Sequence, residues 1–266
     1  MAKDFTRDTF SEFPDTEDRM PVLFVGHGSP ANAIEDNEFS RAWLETARSL
    51  PKPKAILCVS AHWETVGINV TAMQHPRTIH DFRGFPQKLF QLEYPAPGCP
   101  ILAQLVQQTV SGAEIKLDFD WGLDHGTWSV LHRMFPQADV PVIQLSLDLT
   151  KGPEFHYRLG RELRVLRNKG ILILGSGNLV HNLERMVWQD SAYDWAIEFD
   201  QLIKQLILSQ DHNAIINYPM GLSVPTNEHF LPLLYVLAMQ DKDDDIMFFA
   251  EKVTLGSMSM RSVLIC

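Results

Sequence analysis

The sequence predicts an α/β protein: a single domain whose central, mostly parallel mixed sheet is flanked by helices. Short apolar runs, each long enough for one buried strand, alternate along the chain with longer amphipathic segments of helical spacing. The 266 residues suit one large domain better than two small ones. No internal repeat, low-complexity tract or long Gly/Ser linker divides the chain. One sheet with helices on its faces therefore accounts for the whole pattern.

Apolar runs and helical spacing predict the order of the elements. The strands are predicted at Pro21–Val25, Ala55–Ser60, Val140–Leu147 and Ile171–Gly175, and the helices at Glu38–Leu50, Ile101–Ser111, Glu154–Lys169, Ala192–Ser209 and His229–Met239. Pro51 and Gly170 follow two of these helices directly, as helix-ending residues do. The tail, Met247–Cys266, alternates enough to contain one or two late strands.

The first twenty residues differ from the rest of the chain in being polar and acidic. They contain no apolar core of the kind that a secretory signal needs, and no other targeting signal is visible, so a cytoplasmic location is expected. We predict that residues 1–20 form a loosely ordered leader and that residues 21–266 form the single functional domain.

Composition argues against several classes of partner. A formal net charge of -10 with no basic face argues against nucleic acid. The longest apolar stretches, such as Leu231–Leu237, are far shorter than the ~20 residues of a membrane-spanning helix. Three cysteines, Cys58, Cys99 and Cys266, are odd in number and lack CxxC spacing, which is typical of reduced thiols. A metal, if present, would have to be held by histidine.

Histidines follow three of the four clearest strands. His27, His62 and His181 each stand at or shortly beyond the end of an apolar run, and the neighbours Gly26 and Ala61 are small. In open α/β sheets, ligands bind in the crevice beyond the carboxyl ends of the strands. A lone histidine is more often structural than functional, but repetition of the same arrangement predicts that several imidazoles meet in one crevice.

Two further histidines stand beside polar residues that could position them. Asp124 precedes His125 and could orient a neighbouring imidazole by accepting its N–H. Thr226 or Asn227 could cap a helix whose first turn presents His229, although a solvent-facing His229 is the simpler interpretation of that spacing.

Seven motifs occur in an order that resembles a known family. They are GHGSP at Gly26–Pro30, SAHW at Ser60–Trp63, TIHDFRGFP at Thr78–Pro86, YPAPG at Tyr94–Gly98, DHGTW at Asp124–Trp128, SGNLVHN at Ser176–Asn182 and NEHFLPLLYV at Asn227–Val236. Together they resemble the DODA-type (4,5-DOPA) branch of the class III extradiol aromatic ring-opening dioxygenases, the LigB-like superfamily. The resemblance runs from about Pro21 to the C-terminus, and it implies that residues 21–266 are one catalytic LigB-like domain.

The resemblance implies a set of metal ligands. His27 and His62 match two ligands of the family, and His229 matches the position of the third. Protocatechuate-cleaving relatives carry glutamate at that third position, so Glu228 is the alternative. His181 matches either an acid/base histidine or a further ligand of the same centre.

The resemblance also implies substrate contacts. His125 matches a residue of the substrate pocket, where it would donate a hydrogen bond to the substrate or to bound oxygen. Arg83, within TIHDFRGFP, could pair with a substrate carboxylate, or it could be an ordinary residue of a surface loop.

The implied reaction is the extradiol opening of a catechol, DOPA or a related compound, by O2 at a histidine-ligated divalent metal. Three imidazoles suit Fe2+ as the catalytic metal, but they prefer Zn2+, which we expect in protein isolated in air. An alternative is a zinc-dependent hydrolase that uses a metal-bound water with His181 as proton shuttle. A binding protein braced by a metal is less favoured, because structural zinc sites are usually closed and rich in thiolates. The physiological catechol, the bond cleaved and the oligomeric state stay open.

Overall fold

The computed structural model describes residues 9–218 and 221–266. Within them the strands are β1 (Val22–Gly26), β2 (Ala55–Thr65), β3 (Ile68–Thr71), β4 (Ile115–Asp118), β5 (Val142–Asp148), β6 (Ile171–Gly177), β7 (Ile246–Phe249), β8 (Val253–Thr254), β9 (Met258–Ser259) and β10 (Ser262–Ile265). The α-helices are α1 (Thr9–Glu12), α2 (Glu38–Ser49), α3 (Gln87–Phe90), α4 (Pro100–Thr109), α5 (His125–Met134), α6 (Pro153–Leu163), α7 (Asp194–Leu208), α8 (His212–Ile216) and α9 (Leu231–Ala238). Shorter 3-10 helices span Pro30–Ala33, Arg164–Lys169 and Leu183–Arg185. In this part of the chain, no helix has both the length and the apolar character needed to cross a membrane.

Eight strands form the central sheet, in the order β4-β3-β5-β2-β6-β1-β10-β7. The four middle strands, β5, β2, β6 and β1, are parallel neighbours. At one side β3 pairs antiparallel with β5 and parallel with β4, and at the other side β10 and β7 add antiparallel strands. The predicted fold class, a mostly parallel mixed sheet flanked by helices, is confirmed.

Two apolar cores cover the two faces of the sheet. Successive residues of β2 alternate between them, since Leu57 belongs to one core and Ile56 to the other. Helices α4, α6 and α9 contribute to the first core, and α2 and α5 contribute to the second. The middle strands are therefore buried on both faces, which explains why they appear in the sequence as continuous apolar runs.

Among the differences from the predicted boundaries, three bear on the site or on helix geometry, and the tail contains four short strands, β7 to β10, rather than one or two. The second strand continues to Thr65, beyond its predicted end at Ser60. The helix predicted to reach Lys169 is α-helical only to Leu163 and then tightens into the 3-10 helix Arg164–Lys169. The last helix begins at Leu231 rather than His229, with proline in its first turn, where proline is well tolerated.

The predicted leader is attached to the domain wherever the structure describes it. Residues 1–8 lie outside the described residues, but from α1 onward the segment packs on the domain rather than lying loose. Phe13 is buried, and its carbonyl accepts a hydrogen bond from the Lys169 ammonium at 3.0 Å. Arg167 donates to the carbonyl of buried Met20 at 2.8 Å. Phe13 and Met20 are the two buried apolar side chains that attach this otherwise polar segment to the domain.

Candidate metal centre

The carboxyl ends of the middle strands bring two predicted ligands together. Strands β1 and β2 lie on either side of β6, so His27, just after β1, and His62, near the end of β2, face each other across it. Their Nε2 atoms are 3.1 Å apart. Ring nitrogens of His27, His62 and His229 all lie within 4.8 Å of one another. The predicted convergence of histidines at this edge is therefore observed.

His62 owes its direction to an irregularity in β2. The pairing of β2 with β5 is regular up to Val59 and resumes at Glu64 with a shifted register. Register shifts of this kind bend a strand and re-aim its side chains, and they are common beside active sites. His62 lies in the shifted segment, so its half-buried ring points to the centre although it remains within a strand.

His229 reaches the centre because β6 ends in glycine. The Asn178 amide donates to the His229 carbonyl at 2.8 Å, which ties the segment before α9 to the end of β6. A Cβ atom at Gly177 would collide with that carbonyl. The absence of a side chain at Gly177 thus permits the close approach of the two backbones.

Hydrogen bonds determine which ring nitrogen of His27 is free. The Ser176 hydroxyl lies 2.6 Å from the Gly126 carbonyl, which can only accept, and 2.9 Å from His27 Nδ1. Since the hydroxyl hydrogen goes to the carbonyl, Nδ1 carries the proton and donates to Ser176. His27 Nε2 therefore holds a lone pair that faces the centre.

The same reasoning applies to His229. Its Nδ1 lies 3.0 Å from Glu228 Oε1, and an ionised carboxylate can only accept. The lone pair of His229 is consequently on Nε2, a buried atom with no hydrogen-bond partner among the described residues. Because buried polar atoms are rarely left without a partner, this nitrogen indicates a missing ligand.

An acidic residue that the sequence analysis did not single out holds His125. Asp81 Oδ2 lies 2.9 Å from His125 Nδ1, and Asp81 Oδ1 accepts the His125 backbone N–H at 2.9 Å. The same carboxylate is 3.7 Å from His62 Nδ1. Asp81 belongs to the TIHDFRGFP motif, two residues before Arg83. The signal for Asp81 was its place in that motif, but the partner 44 residues away is visible only in the fold.

Asp124, which was expected to orient a neighbouring imidazole, has a different role. It caps α5 by accepting the Thr127 amide at 3.1 Å, and it also accepts the Ser60 hydroxyl at 2.7 Å. Burial, followed by the charge of Asp81, raises its pKa to about 6. The carboxylate beside His125 Nδ1 is that of Asp81, because the cap turns Asp124 into the helix.

His181 and Arg83 complete the predicted set. The His181 ring is stacked on His229, with centroids 3.4 Å apart and planes at 9°. Its backbone amide donates to the Ser223 carbonyl at 3.0 Å. Arg83 is exposed on the loop that carries Asp81 and forms no ion pair with the described residues. The structure thus brings together every predicted histidine, while Arg83 stays at the surface nearby.

Burial keeps four of the clustered histidines neutral, namely His27, His62, His181 and His229. Burial first, and then mutual repulsion, places the pKa values of His27 and His229 well below the ordinary histidine value. Burial likewise lowers the pKa of His62, and it lowers that of His181 to about 4. For Asp81, burial opposes ionisation, but the hydrogen bond and charge of His125 outweigh it, so its pKa is lowered. Neutral imidazole is the form that binds metal.

These residues fit a divalent metal. Three neutral imidazoles converge, one of them with an unpartnered buried nitrogen, and two nitrogens each bound at about 2.0–2.1 Å to one ion can lie as close as His27 and His62 do. Glu228 behind His229 is the carboxylate that a metal-binding histidine usually has on its other nitrogen.

Comparison with known protein families identifies the family of this chain. Residues 21–261 match the family model described as the catalytic LigB subunit of aromatic ring-opening dioxygenase. The chain belongs to the LigB family. Dioxygenases of this family use a divalent metal, and the histidine cluster is a possible site for it. The resemblance inferred from the seven motifs is confirmed.

Individual LigB relatives cover nearly the whole chain. It is 47% identical over 257 residues to the 4,5-DOPA dioxygenase extradiol of Escherichia coli (strain K12), an alignment that covers 93% of this chain and 95% of that one. The protein of the same name from Portulaca grandiflora is 41% identical and aligns with 79% of this chain and 83% of its own. The crystal structure of an uncharacterized Escherichia coli K12 protein superposes with a TM-score of 0.82 at 43% identity, covering 93% of this chain and 100% of the other. These relatives favour a dioxygenase over the hydrolase alternative.

Proposed function

We propose that this LigB protein opens the ring of a catechol, DOPA or a related compound, with O2 at a divalent metal bound by His27, His62 and His229. The main support for this proposal is that three neutral imidazoles converge at the carboxyl edge of the sheet. Residues 21–266 would act as a single catalytic unit, since the ligands come from both ends of that range. The names of the relatives point to DOPA.

Hydrogen bonding supports His229 over Glu228 as the third ligand. The Glu228 carboxylate is engaged by the Thr226 hydroxyl at 2.9 Å and by His229 Nδ1. His229 Nε2, in contrast, is buried and unpartnered. In our proposal His229 binds the metal and Glu228 holds the imidazole in the required orientation.

His181 is proposed as the acid/base group. When bound, the divalent ion would lower the pKa of a catechol hydroxyl and supply the redox chemistry toward O2. The neutral imidazole of His181, stacked on His229, could accept the proton as the catechol O–H bond breaks and return it later. His181 as a further ligand is the alternative.

His125 is proposed to contact the substrate. Asp81 accepts the His125 backbone amide and its other carboxylate oxygen lies 2.9 Å from Nδ1, so Nε2 is the ring nitrogen proposed to reach the catechol or bound oxygen. Arg83 is proposed to pair with a substrate carboxylate. Unchanged substrate affinity in Arg83→Ala would remove Arg83 from this role.

Fe2+ is proposed as the working metal and Zn2+ as the metal of protein purified in air. Imidazole sites bind zinc more tightly than ferrous iron, but zinc has no redox chemistry. Elemental analysis of aerobically prepared protein should find zinc. Stoichiometric iron in that preparation would contradict the expectation.

The proposed reaction is tested by oxygen uptake. Metal-stripped protein is reloaded anaerobically with Fe2+ or Zn2+ and then given O2 with a panel of catechols that includes DOPA. Uptake with Fe2+ only, together with a yellow ring-opened product, is the expected result. If neither metal supports oxygen uptake with any catechol of the panel, the dioxygenase proposal is wrong and the zinc-dependent hydrolase is favoured.

The role of His181 is tested by His181→Ala in the same assay. A lost acid/base group typically lowers turnover by about 10²–10⁴-fold, and we expect this loss with metal content unchanged. Loss of the metal from this variant would instead show that His181 is a ligand.

A further inference from the structure

The first turn of α5 lies against the proposed metal centre, and Gly126 is its point of contact with one ligand. Gly126 follows His125 directly and is buried. Its carbonyl oxygen accepts the Ser176 hydroxyl at 2.6 Å, and the oxygen of that hydroxyl accepts from His27 Nδ1 at 2.9 Å. One backbone atom of α5 therefore sets the direction of the Ser176 hydroxyl and, through it, the ring nitrogen of His27 that keeps its lone pair.

The missing side chain of Gly126 leaves room for a second ligand. A Cβ atom at Gly126 would lie 2.9 Å from Cδ2 of His62 and 2.6 Å from the Ser60 hydroxyl oxygen. Carbon atoms in van der Waals contact are about 3.5–4.0 Å apart, so a side chain here would displace one of these groups. Gly126 does not have a positive φ, and a helix favours alanine over glycine. The approach of His62, rather than the backbone conformation, is therefore the reason for glycine.

Buried hydrogen bonds hold this turn on the sheet. The cap residue Asp124 accepts the Ser60 hydroxyl of β2 at 2.7 Å, and it also accepts the side-chain amide of Gln144 from β5. The Thr127 hydroxyl donates to Gln144 Oε1 at 2.8 Å. All four side chains are fully buried. Together with the serine of β6 that donates to Gly126, these contacts bond the turn to three neighbouring parallel strands and fix its distance from the two ligands.

We propose that Gly126 is a positioning residue for the metal centre. Its carbonyl oxygen orients His27 through Ser176, and its lack of a side chain admits the ring of His62. The inference rests on the metal site of the proposed function, but it does not depend on the reaction that the bound ion supports. A change in this turn should weaken metal binding even though every ligand is still present.

Gly126→Ala tests the space for His62. The added methyl group should displace the imidazole, while the higher helix propensity of alanine favours the folded α5. The dissociation constant of Zn2+, measured by titration against a competing chelator, should rise about 10–100-fold, as on the loss of a residue that orients a ligand. The visible absorption spectrum of Co2+-saturated Gly126→Ala should also differ from that of wild type, because a displaced ligand changes the geometry around the ion.

The matched control is Gly152→Ala. It adds the same methyl group just before α6, at a position where a Cβ atom would have no neighbour within 4 Å, and it should match wild type in both measurements. A Co2+ spectrum of Gly126→Ala identical to that of wild type would overturn the proposal, even if the affinity fell. General destabilisation lowers the affinity without changing the geometry of the bound ion.

Ser176→Ala tests the contact with His27 and adds no bulk. Without the hydroxyl, His27 should no longer be held in the form that is protonated at Nδ1, which nitrogen NMR of the metal-free protein detects. The dissociation constant of Zn2+ should rise about 10–100-fold here as well. Retention of the Nδ1-protonated form would overturn the orientation of His27 by Gly126 and Ser176.

These measurements need neither catechol nor O2, so they separate the inference from the proposed reaction. Protein that fails the oxygen assay but shows the expected losses of affinity would refute the dioxygenase and support the role of Gly126. Normal oxygen uptake by wild type, with unchanged Zn2+ affinity and Co2+ spectra in both variants, would do the reverse. Wild-type protein that binds no Zn2+ would overturn both.

Discussion

At the scale of single residues, two histidine–carboxylate pairs stand beside the proposed metal centre. Glu228 accepts from His229 Nδ1, and Asp81 lies within hydrogen-bond distance of His125 Nδ1. In the first pair a hydrogen bond engages Nδ1 and leaves Nε2 available to a metal. In the second pair Asp81 faces Nδ1 and is hydrogen-bonded to the His125 backbone amide. Neither carboxylate has to touch the reacting atoms in order to affect the reaction.

Substitutions at positions 228 and 229 should separate the ligand from the residue that orients it. We expect His229→Ala to lose stoichiometric metal, because one of three imidazoles is removed. Glu228→Gln should keep the metal but bind it about 10–100-fold more weakly, the usual effect of losing an orienting partner. Metal titration with a competing chelator measures both. Complete loss of metal in Glu228→Gln with retention in His229→Ala would make Glu228 the ligand.

Asp81→Asn should affect turnover more than substrate affinity. The amide keeps the size of the side chain but loses the charge that the His125 ring faces, so His125 is less well oriented. We expect kcat to fall at least 10-fold, with little change in KM and with metal content preserved. Asp120→Asn, on an exposed loop, is the control and should behave like wild type. Unchanged kcat in Asp81→Asn would remove Asp81 from the positioning of His125.

At the scale of elements, the site depends on interruptions of regular structure. His62 lies where β2 shifts register, and His229 lies in the turn just before α9. His125 is the first residue of α5, which covers the face of the sheet opposite to α9. The two faces therefore each deliver a histidine to the same edge, at the points where strands and helices begin or end.

The contact between α6 and α9 contains a buried histidine with a pH-dependent effect on stability. His156 Nε2 faces the Asp148 carbonyl at 3.3 Å and therefore carries the proton, so Nδ1 accepts from the Tyr235 hydroxyl at 3.0 Å. Burial lowers the pKa of His156 to about 4. The unfolded chain takes up this proton near pH 6.5, well before the folded protein does. This contribution to stability is complete above pH 6.5 and declines as the pH falls toward 4.

Replacing His156 by glutamine should remove that pH dependence. Between pH 6.5 and 4, the free energy of unfolding of wild type should fall more steeply than that of His156→Gln, by at most about 1.4 kcal/mol per pH unit. Urea denaturation at several pH values measures both slopes. The clustered histidines contribute equally to the two proteins, so their effect cancels in the difference. Parallel slopes would show that His156 is protonated equally easily in the folded and unfolded states.

At the scale of the whole molecule, the proposed centre joins segments that are distant in the chain. His27 follows the first strand and His229 precedes the last α-helix, so a bound ion would connect the two ends of the domain. Because the unfolded chain separates these ligands, metal binding should stabilise the folded state. At a free metal concentration of 100 times Kd the gain is about 2.7 kcal/mol.

Removing the metal should therefore lower the melting temperature. For a protein of this size we expect a decrease on the order of 5–10 °C upon chelation, reversed by adding Zn2+. Differential scanning calorimetry with and without chelator measures it. His27→Ala provides the control, since its melting temperature should respond little to either treatment. An equal response of the variant would place the stabilising ion elsewhere.

The sequence by itself indicated the fold class and the meeting of His27, His62 and His181 at one edge of the sheet, while His229 was indicated by the family motif NEHFLPLLYV. Strands buried on both faces must be continuously apolar, so each of them is visible in the sequence as an apolar run such as Ala55–Ser60. Histidines at the ends of such runs must meet, because parallel strands share one carboxyl edge. These inferences need only local pattern and the geometry of a parallel sheet.

Tertiary structure alone decided which polar groups contact those histidines. Asp81 and Asp124 are both acidic residues in motifs, but the helix cap of Asp124 and the approach of Asp81 to His125 depend on packing between distant segments. Likewise, the Ser176 hydroxyl that sets the protonated nitrogen of His27 lies 149 residues from it in the chain. Hydrogen bonds act over about 3 Å, so their partners are set by the folded positions of side chains rather than by spacing in the sequence.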